Sequence, residues 1–310
     1  MAGKAKIAIV GAGLMGHGIA EVFAVAGHDV AVYDKDPASL ATLAERVGAI
    51  LADMGEDQAA VSRITPVGDL AAAVADVDVV IEAAAERLPV KREIFAELER
   101  NAPRKALLAS NTSVIPIGRI AAHLTTRERV LGTHWWNPPY LVPLVEVIRT
   151  EDTSPEAVDT MVALLESVGK TPVRVVKDVP GFIGNRLQHA LWREAVALVQ
   201  NGVCDAETVD TVVKASFGRR LAVLGPLENA DLVGIDLLRD IQETILPDLD
   251  RSEGPMPHVA RLVDEGRLGF KTGEGFRKWT PREQAALRKR VTDHLKKMAV
   301  ELDRPHMGGE

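Results

Sequence analysis

Apolar positions change their period once along this chain. Through its first half, short β-rich apolar runs alternate with longer stretches whose apolar residues recur at helical spacing. Ile7 to Val10, Asp29 to Asp34, Val77 to Glu82, Ala106 to Ser110 and Val130 to His134 read as strands. Leu14 to Ala26, Pro37 to Met54 and Val90 to Arg100 read as the helices between them, the last carrying Ile94, Phe95 and Leu98 at helical spacing. This alternation predicts βαβ units on a parallel sheet. The run Leu144 to Ile148, a helix over Pro155 to Val168 and the run Val173 to Val176 extend or edge that sheet.

At Asp178-Val179-Pro180-Gly181 the pattern changes, because proline followed by glycine breaks regular structure and everything beyond reads helical. A long helix runs from Phe182 to about Asn201-Gly202, with Ile183, Leu187, Leu191, Ala195 and Leu198 along one face. Further helices are expected at Ala206 to Ser216, Glu228 to Leu246, Pro257 to Glu265 and Pro281 to Leu302. In the last, Leu287, Val291, Leu295 and Met298 share a face and the basic residues form a solvated one. The expected architecture is therefore a doubly wound α/β domain over residues 1–178, followed by a smaller all-α domain over 179–310.

Composition narrows what such a protein can do. Hydrophobic residues make up 46% and charged residues 26% of 310, the balance of a globular chain. A net charge of -7 with no large Lys/Arg cluster argues against nucleic acid and for a small-molecule partner. The single cysteine, Cys204, excludes an internal disulfide and a multi-cysteine metal centre, so a cytoplasmic protein without a metal is expected. Met1 to Lys6 leads straight into a strand pattern with no signal segment, and no apolar run is long enough to span a bilayer.

Gly11-Ala12-Gly13-Leu14-Met15-Gly16 follows the first strand and opens a helix, which is the context that gives a G-x-G-x-x-G pattern meaning. Gly11 would make the tight turn, Gly13 would let a pyrophosphate approach the backbone, and Gly16 would allow close helix–strand packing. Leu14 and Met15 complete the loop, and the helix start supplies N–H groups and a positive dipole end to the phosphates. Asp34, at the end of the second strand, can accept hydrogen bonds from the adenine-ribose hydroxyls. A 2′-phosphate would be repelled there, so NAD is the expected cofactor in a Rossmann-type domain, with FAD left open by the loop alone.

The reaction must come from other residues. His134 ends a sheet strand, where ligands bind in open α/β folds, and titrates close enough to neutrality to take and return an alcohol proton. Glu146, on the next extended segment, could hold one imidazole nitrogen. Taken alone, a histidine beside Trp135 and Trp136 is equally open to a packing role. Ser113 follows another strand terminus and offers a hydroxyl.

His134-x-x-Asn137-Pro138 with Leu144-Val145-Glu146-Val147, together with Ser110-Asn111-Thr112-Ser113 before it and Pro180-Gly181-Phe182-Ile183-x-Asn185-Arg186 after it, resembles the 3-hydroxyacyl-CoA dehydrogenase family along nearly the whole chain. The resemblance implies His134 as base, Glu146 as its partner, and Ser113 and Asn185 as hydrogen-bonding residues around substrate and nicotinamide. It also implies Glu82 and Asn111 in the cofactor cleft and a homodimer formed through the helical domain. Gly13-Leu14-Met15-Gly16 is similar as well to the lysine-dependent β-hydroxyacid dehydrogenases, but Asn185 to Gln200 contains no lysine.

Two stretches depart from the acyl-CoA pattern. The family's lysine-rich helical hairpin is replaced by Pro37 to Asp76, where Arg46 and Arg63 are the basic residues. Gly218-Arg219-Arg220-Leu221-Ala222-Val223-Leu224-Gly225-Pro226 stands where a Gly-Tyr-Pro-x-Gly-Pro turn is usual. Both look like the branch acting on free hydroxy acids, such as gulonate, carnitine and pyridine-carboxylate dehydrogenases. Arg193, Arg219 or Arg220 could then bind a free carboxylate. A non-catalytic, crystallin-like NADH-binding protein is the rival from another class.

Overall fold

The computed structural model describes residues 4–302, and the side chains of 300–302 fall outside that description. Eight strands form one sheet: β1 (Lys6–Val10), β2 (Asp29–Tyr33), β3 (Ile64–Val67), β4 (Val79–Glu82), β5 (Leu107–Ser110), β6 (Val130–Trp135), β7 (Leu144–Ile148) and β8 (Thr171–Val175). Their order is β3-β2-β1-β4-β5-β6-β7-β8, and every pairing is parallel except β6 with β7. The order reverses direction at β1, so the crevice beyond the carboxyl ends of β1 and β4 is the expected ligand position. The fold is thus of the Rossmann type, followed by a helical C-terminal region.

Helices α1 (Leu14–Val25), α2 (Pro37–Ala41), α3 (Leu43–Met54), α4 (Leu70–Val74), α5 (Leu88–Asn101), α6 (Ile117–Ala121) and α7 (Pro155–Ser167) cover the sheet. Because both faces are covered, the central strands are apolar throughout. Ile7, Ile9, Val79 and Ile81 pack in one core with α1, α3 and α7. Ala8, Val10 and Val80 pack in the other with α4, α5 and α6.

Two helical expectations divide. Pro37 to Met54 breaks at Thr42 into α2 and α3. β3 was not expected: it carries Pro66, which cannot donate to a ladder and is tolerated because β3 is the sheet's edge.

Residues up to Arg186 together with those from Asp293 onward form one compact unit, and Leu187–Thr292 forms a second. The helices past β8 are α8 (Gly184–Gln200), α9 (Ala206–Ala215), α10 (Pro226–Val233), α11 (Ile235–Ile245), α12 (Pro257–Asp264) and α13 (Pro281–Leu302). The expected helix Glu228 to Leu246 splits at Gly234, whose φ of 98° suits glycine and interrupts the α-helical backbone. The second unit buries little apolar surface of its own: Leu227, Leu232, Ile235, Ile241 and Ile245 are all exposed. Among the described residues no helix is long and apolar enough to cross a membrane.

Candidate active site

The antiparallel register of β6 and β7 sets His134 directly opposite Glu146. Directly opposed side chains on one sheet face lie within reach of each other. His134 Nδ1 is 2.7 Å from Glu146 Oε2, and both residues are buried. An ionised carboxylate only accepts, so Nδ1 carries the proton and the Nε2 lone pair is left for another partner. The rings of Trp136 and Phe182 lie 5.3 and 5.7 Å from the imidazole and limit its rotation.

The other oxygen of Glu146 accepts hydrogen bonds from the backbone N–H groups of Ile183 (2.8 Å) and Gly184 (3.0 Å), at the start of α8. A left-handed pair, Gly181 (φ 74°) and Phe182 (φ 51°), aims those amides. Phenylalanine is unusual in that region, and its almost complete burial holds it there. Burial opposes ionisation of Glu146. The hydrogen bonds from His134, Gly184 and Ile183, with the attraction of His134, more than offset it and hold the carboxyl below its ordinary value.

Asn185 joins this group: its Nδ2 donates to the backbone oxygen of Ser113 at 2.8 Å. The Ser113 loop is fixed from the other side by Glu86, which accepts from Thr112 Oγ1 (2.6 Å), Ser113 N (3.0 Å) and Val114 N (3.2 Å). Burial raises the Glu86 pKa, but Thr112, Lys91 and these amides outweigh it and leave the carboxyl below its usual range. Asn111 Oδ1 accepts from Trp135 N at 2.9 Å, tying the β5 terminus to the residue after His134.

Glu82 calls for a correction. It is fully buried, and its oxygens take hydrogen bonds from Lys91 Nζ (2.8 and 3.0 Å), Ser110 Oγ (2.6 Å) and Ala84 N (2.7 Å). Rather than facing a cofactor, it ties the ends of β4 and β5 to α5. Sequence reasoning missed both Lys91 and Glu86. The signal for Lys91 was its position: Lys91, Phe95 and Leu98 are the buried stripe of α5, and a lysine in such a stripe needs a buried partner.

The glycine-rich loop has the shape the spacing predicts. Gly11 has φ 111°, and a Cβ at Gly16 would collide with the Gly11 carbonyl oxygen. A Cβ at Gly13 would meet nothing within 4 Å, so the backbone is open to a ligand there. No side chain caps α1 and its first turn contains no acid, which leaves its N–H groups available to phosphates. Leu14 is exposed and Met15 packs against the core. Asp34 Oδ2 accepts from Ala12 N at 2.7 Å, placing the carboxylate against the loop. These residues fit a dinucleotide.

Of the three arginines, Arg193 lies 3.8 Å from Asp250, and Arg219 and Arg220 are exposed on the turn after α9. All three belong to the second unit. Among the described residues no cluster of His, Cys, Asp and Glu suits a metal ion.

Residues 6–179 match the family model described as 3-hydroxyacyl-CoA dehydrogenase, NAD binding domain, and residues 181–279 match its C-terminal domain. The chain is 38% identical over 288 residues to 5-formyl-3-hydroxy-2-methylpyridine 4-carboxylate 5-dehydrogenase of Mesorhizobium japonicum, covering 91% of this chain and 93% of that one. It is 35% identical to human mitochondrial hydroxyacyl-coenzyme A dehydrogenase, covering 88% and 90%. A crystal structure of a 5-formyl-3-hydroxy-2-methylpyridine 4-carboxylic acid 5-dehydrogenase, described as an NAD+ dependent dismutase, superposes with a TM-score of 0.91 at 35% identity, covering 98% of this chain and all of that one. FadB2 of M. tuberculosis gives 0.75 at 36% identity, covering 90% and 100%. The chain belongs to the 3-hydroxyacyl-CoA dehydrogenase family of NAD-dependent oxidoreductases.

Proposed function

We propose that this member oxidises the secondary alcohol of a free hydroxy acid, in the manner of a 3-hydroxy acid dehydrogenase, and that His134 is its base. The observation that carries the chemistry is the buried 2.7 Å contact between His134 Nδ1 and Glu146. Nε2 takes the hydroxyl proton as the carbon gives up its hydride, which the nicotinamide of bound NAD accepts. Glu146 keeps the imidazole in the productive tautomer and stabilises its protonated form. In the reverse direction Nε2 returns the proton to the forming alkoxide. Ser113 and Asn185 position the substrate oxygen and the nicotinamide, and Asn111 holds the strand end beside them. The glycines of the loop, Leu14, Met15 and Asp34 hold the nucleotide.

The preference for a free acid over a CoA thioester rests on the segment after β2. Its basic residues, Arg46 and Arg63, are too few to hold coenzyme A phosphates, and Arg46 is spent on two backbone carbonyls. The Mesorhizobium relative, named for a pyridine carboxylate, supports the same reading. Arg193, Arg219 and Arg220 are the candidates for the substrate carboxylate. Steady-state kinetics with acetoacetyl-CoA and NADH beside a panel of free hydroxy acids decides the matter: efficient thioester reduction overturns the free-acid reading, and no turnover of either class favours the crystallin-like rival.

In this proposal residues 1–178 bind the cofactor, while 179–310 supply substrate contacts and the surface of a homodimer. The exposed apolar side chains of α10 and α11 support the dimer, since faces of that kind usually pair. Light scattering at the mass of one chain would remove it. The lone cysteine supports a cytoplasmic location.

A further inference from the structure

Arg46 projects from α3 to the glycine-rich loop. Its Nη1 donates to the Ala12 carbonyl at 2.8 Å and its Nη2 to the Ser39 carbonyl at 2.7 Å. On the other side of the same residue, the Ala12 N–H is held by Asp34. A guanidinium and a carboxylate therefore grip one residue of the loop from its two ends.

The consequence lies in the next amide. In a trans peptide the N–H points opposite to the C=O of the same unit. Holding the Ala12 carbonyl toward α3 turns the Gly13 N–H the other way, at the residue where a Cβ would meet no neighbour. The Gly13 carbonyl is fixed in the same manner. It accepts from His17 Nδ1 at 2.7 Å and from His17 N at 3.2 Å, which sets the Leu14 N–H. Two successive amides at an uncapped helix start are thus oriented before any anion arrives.

We infer that Arg46 is a positioning residue for the cofactor diphosphate: it presets the Gly13 amide through the Ala12 carbonyl and keeps a cation beside the loop. The inference rests on the nucleotide reading of that loop. A lysine could supply the charge but not the two-carbonyl fork, so Arg46→Lys is expected to fall between the wild type and Arg46→Met.

The test is titration of the purified full chain with NADH, ADP-ribose and adenosine, by calorimetry or nucleotide fluorescence, with thermal unfolding run alongside. In Arg46→Met the affinities for NADH and ADP-ribose should fall about tenfold or more, as for loss of a charged hydrogen bond. Adenosine, which lacks the diphosphate, should bind within about twofold of wild type, and in turnover KM for NAD should rise with kcat little changed. Unchanged NADH affinity in a folded variant overturns the role of Arg46, as does an equal loss for adenosine. If Arg46→Met does not fold, full NADH affinity in Arg46→Lys overturns it. Failure of the wild type to bind NADH would remove the nucleotide reading itself.

Discussion

Glu21 offers a prediction that the structure makes quantitative. It lies on α1 and is only 3% exposed, its carboxyl accepts no hydrogen bond among the described residues, and it lines a cavity of about 160 Å³ with Glu56, Tyr140 and Lys170. Burial pushes its pKa from 4.5 up to about 7; Lys170 pulls it down and Glu56 adds to the rise. A carboxyl whose folded-state pKa is raised contributes stability that is fully present below the unfolded value and is lost as pH rises through the folded value. The window is therefore pH 4.5 to about 7. Glu21→Gln keeps the shape of the neutral acid and cannot ionise. Its advantage over wild type should grow from about 1 kcal/mol at pH 5 to about 3 kcal/mol at pH 8, since each tenfold difference in acidity between the folded and unfolded carboxyl is worth about 1.4 kcal/mol. Urea unfolding of both proteins across this range measures it. A difference that stays flat with pH, or has the opposite slope, would refute the idea that a buried and unsolvated carboxyl is being forced to ionise.

Other outcomes follow from the site. His134→Gln should lower turnover by about 10²–10⁴ while leaving the dissociation constant of NADH nearly unchanged, since the base is removed and the glycine loop is not. Glu146→Gln should cost stability above the ordinary carboxylate range and lose that effect as pH falls through the depressed pKa of Glu146, which paired urea titrations of the two proteins can follow. Lys91→Met would strand the Glu82 carboxylate in the core and should destabilise by about 3–5 kcal/mol; calorimetric unfolding within about 1 kcal/mol of wild type would contradict the buried pair.

Much of this was legible in the sequence, for identifiable reasons. Strands covered on both faces are continuous apolar runs, so β1, β4 and β6 announce themselves, and their helices carry periodic apolar stripes. His134 and Glu146 are twelve residues apart along the chain, and only an antiparallel pairing of two short strands brings them face to face. That pairing was implied by family resemblance before any register was known. β3 was hidden by Pro66, which reads as a strand breaker until the strand is known to be an edge. The Glu82–Lys91–Ser110 cluster was hidden because charge usually marks a solvated surface, and only the tertiary fold reveals that three polar side chains from β4, α5 and β5 share one dry spot. Arg46 reads from sequence as one of two scattered cations, and its reach to Ala12 depends on how α3 packs.

The two oxygens of Glu146 serve two masters. One aims an imidazole and the other anchors the first turn of α8, so any change that re-angles the base also re-lays the path of the chain entering the helical half. Descendants of this scaffold that acquire new substrates are then expected to do so by altering side chains farther along α8 and beyond, where variation does not disturb the proton acceptor.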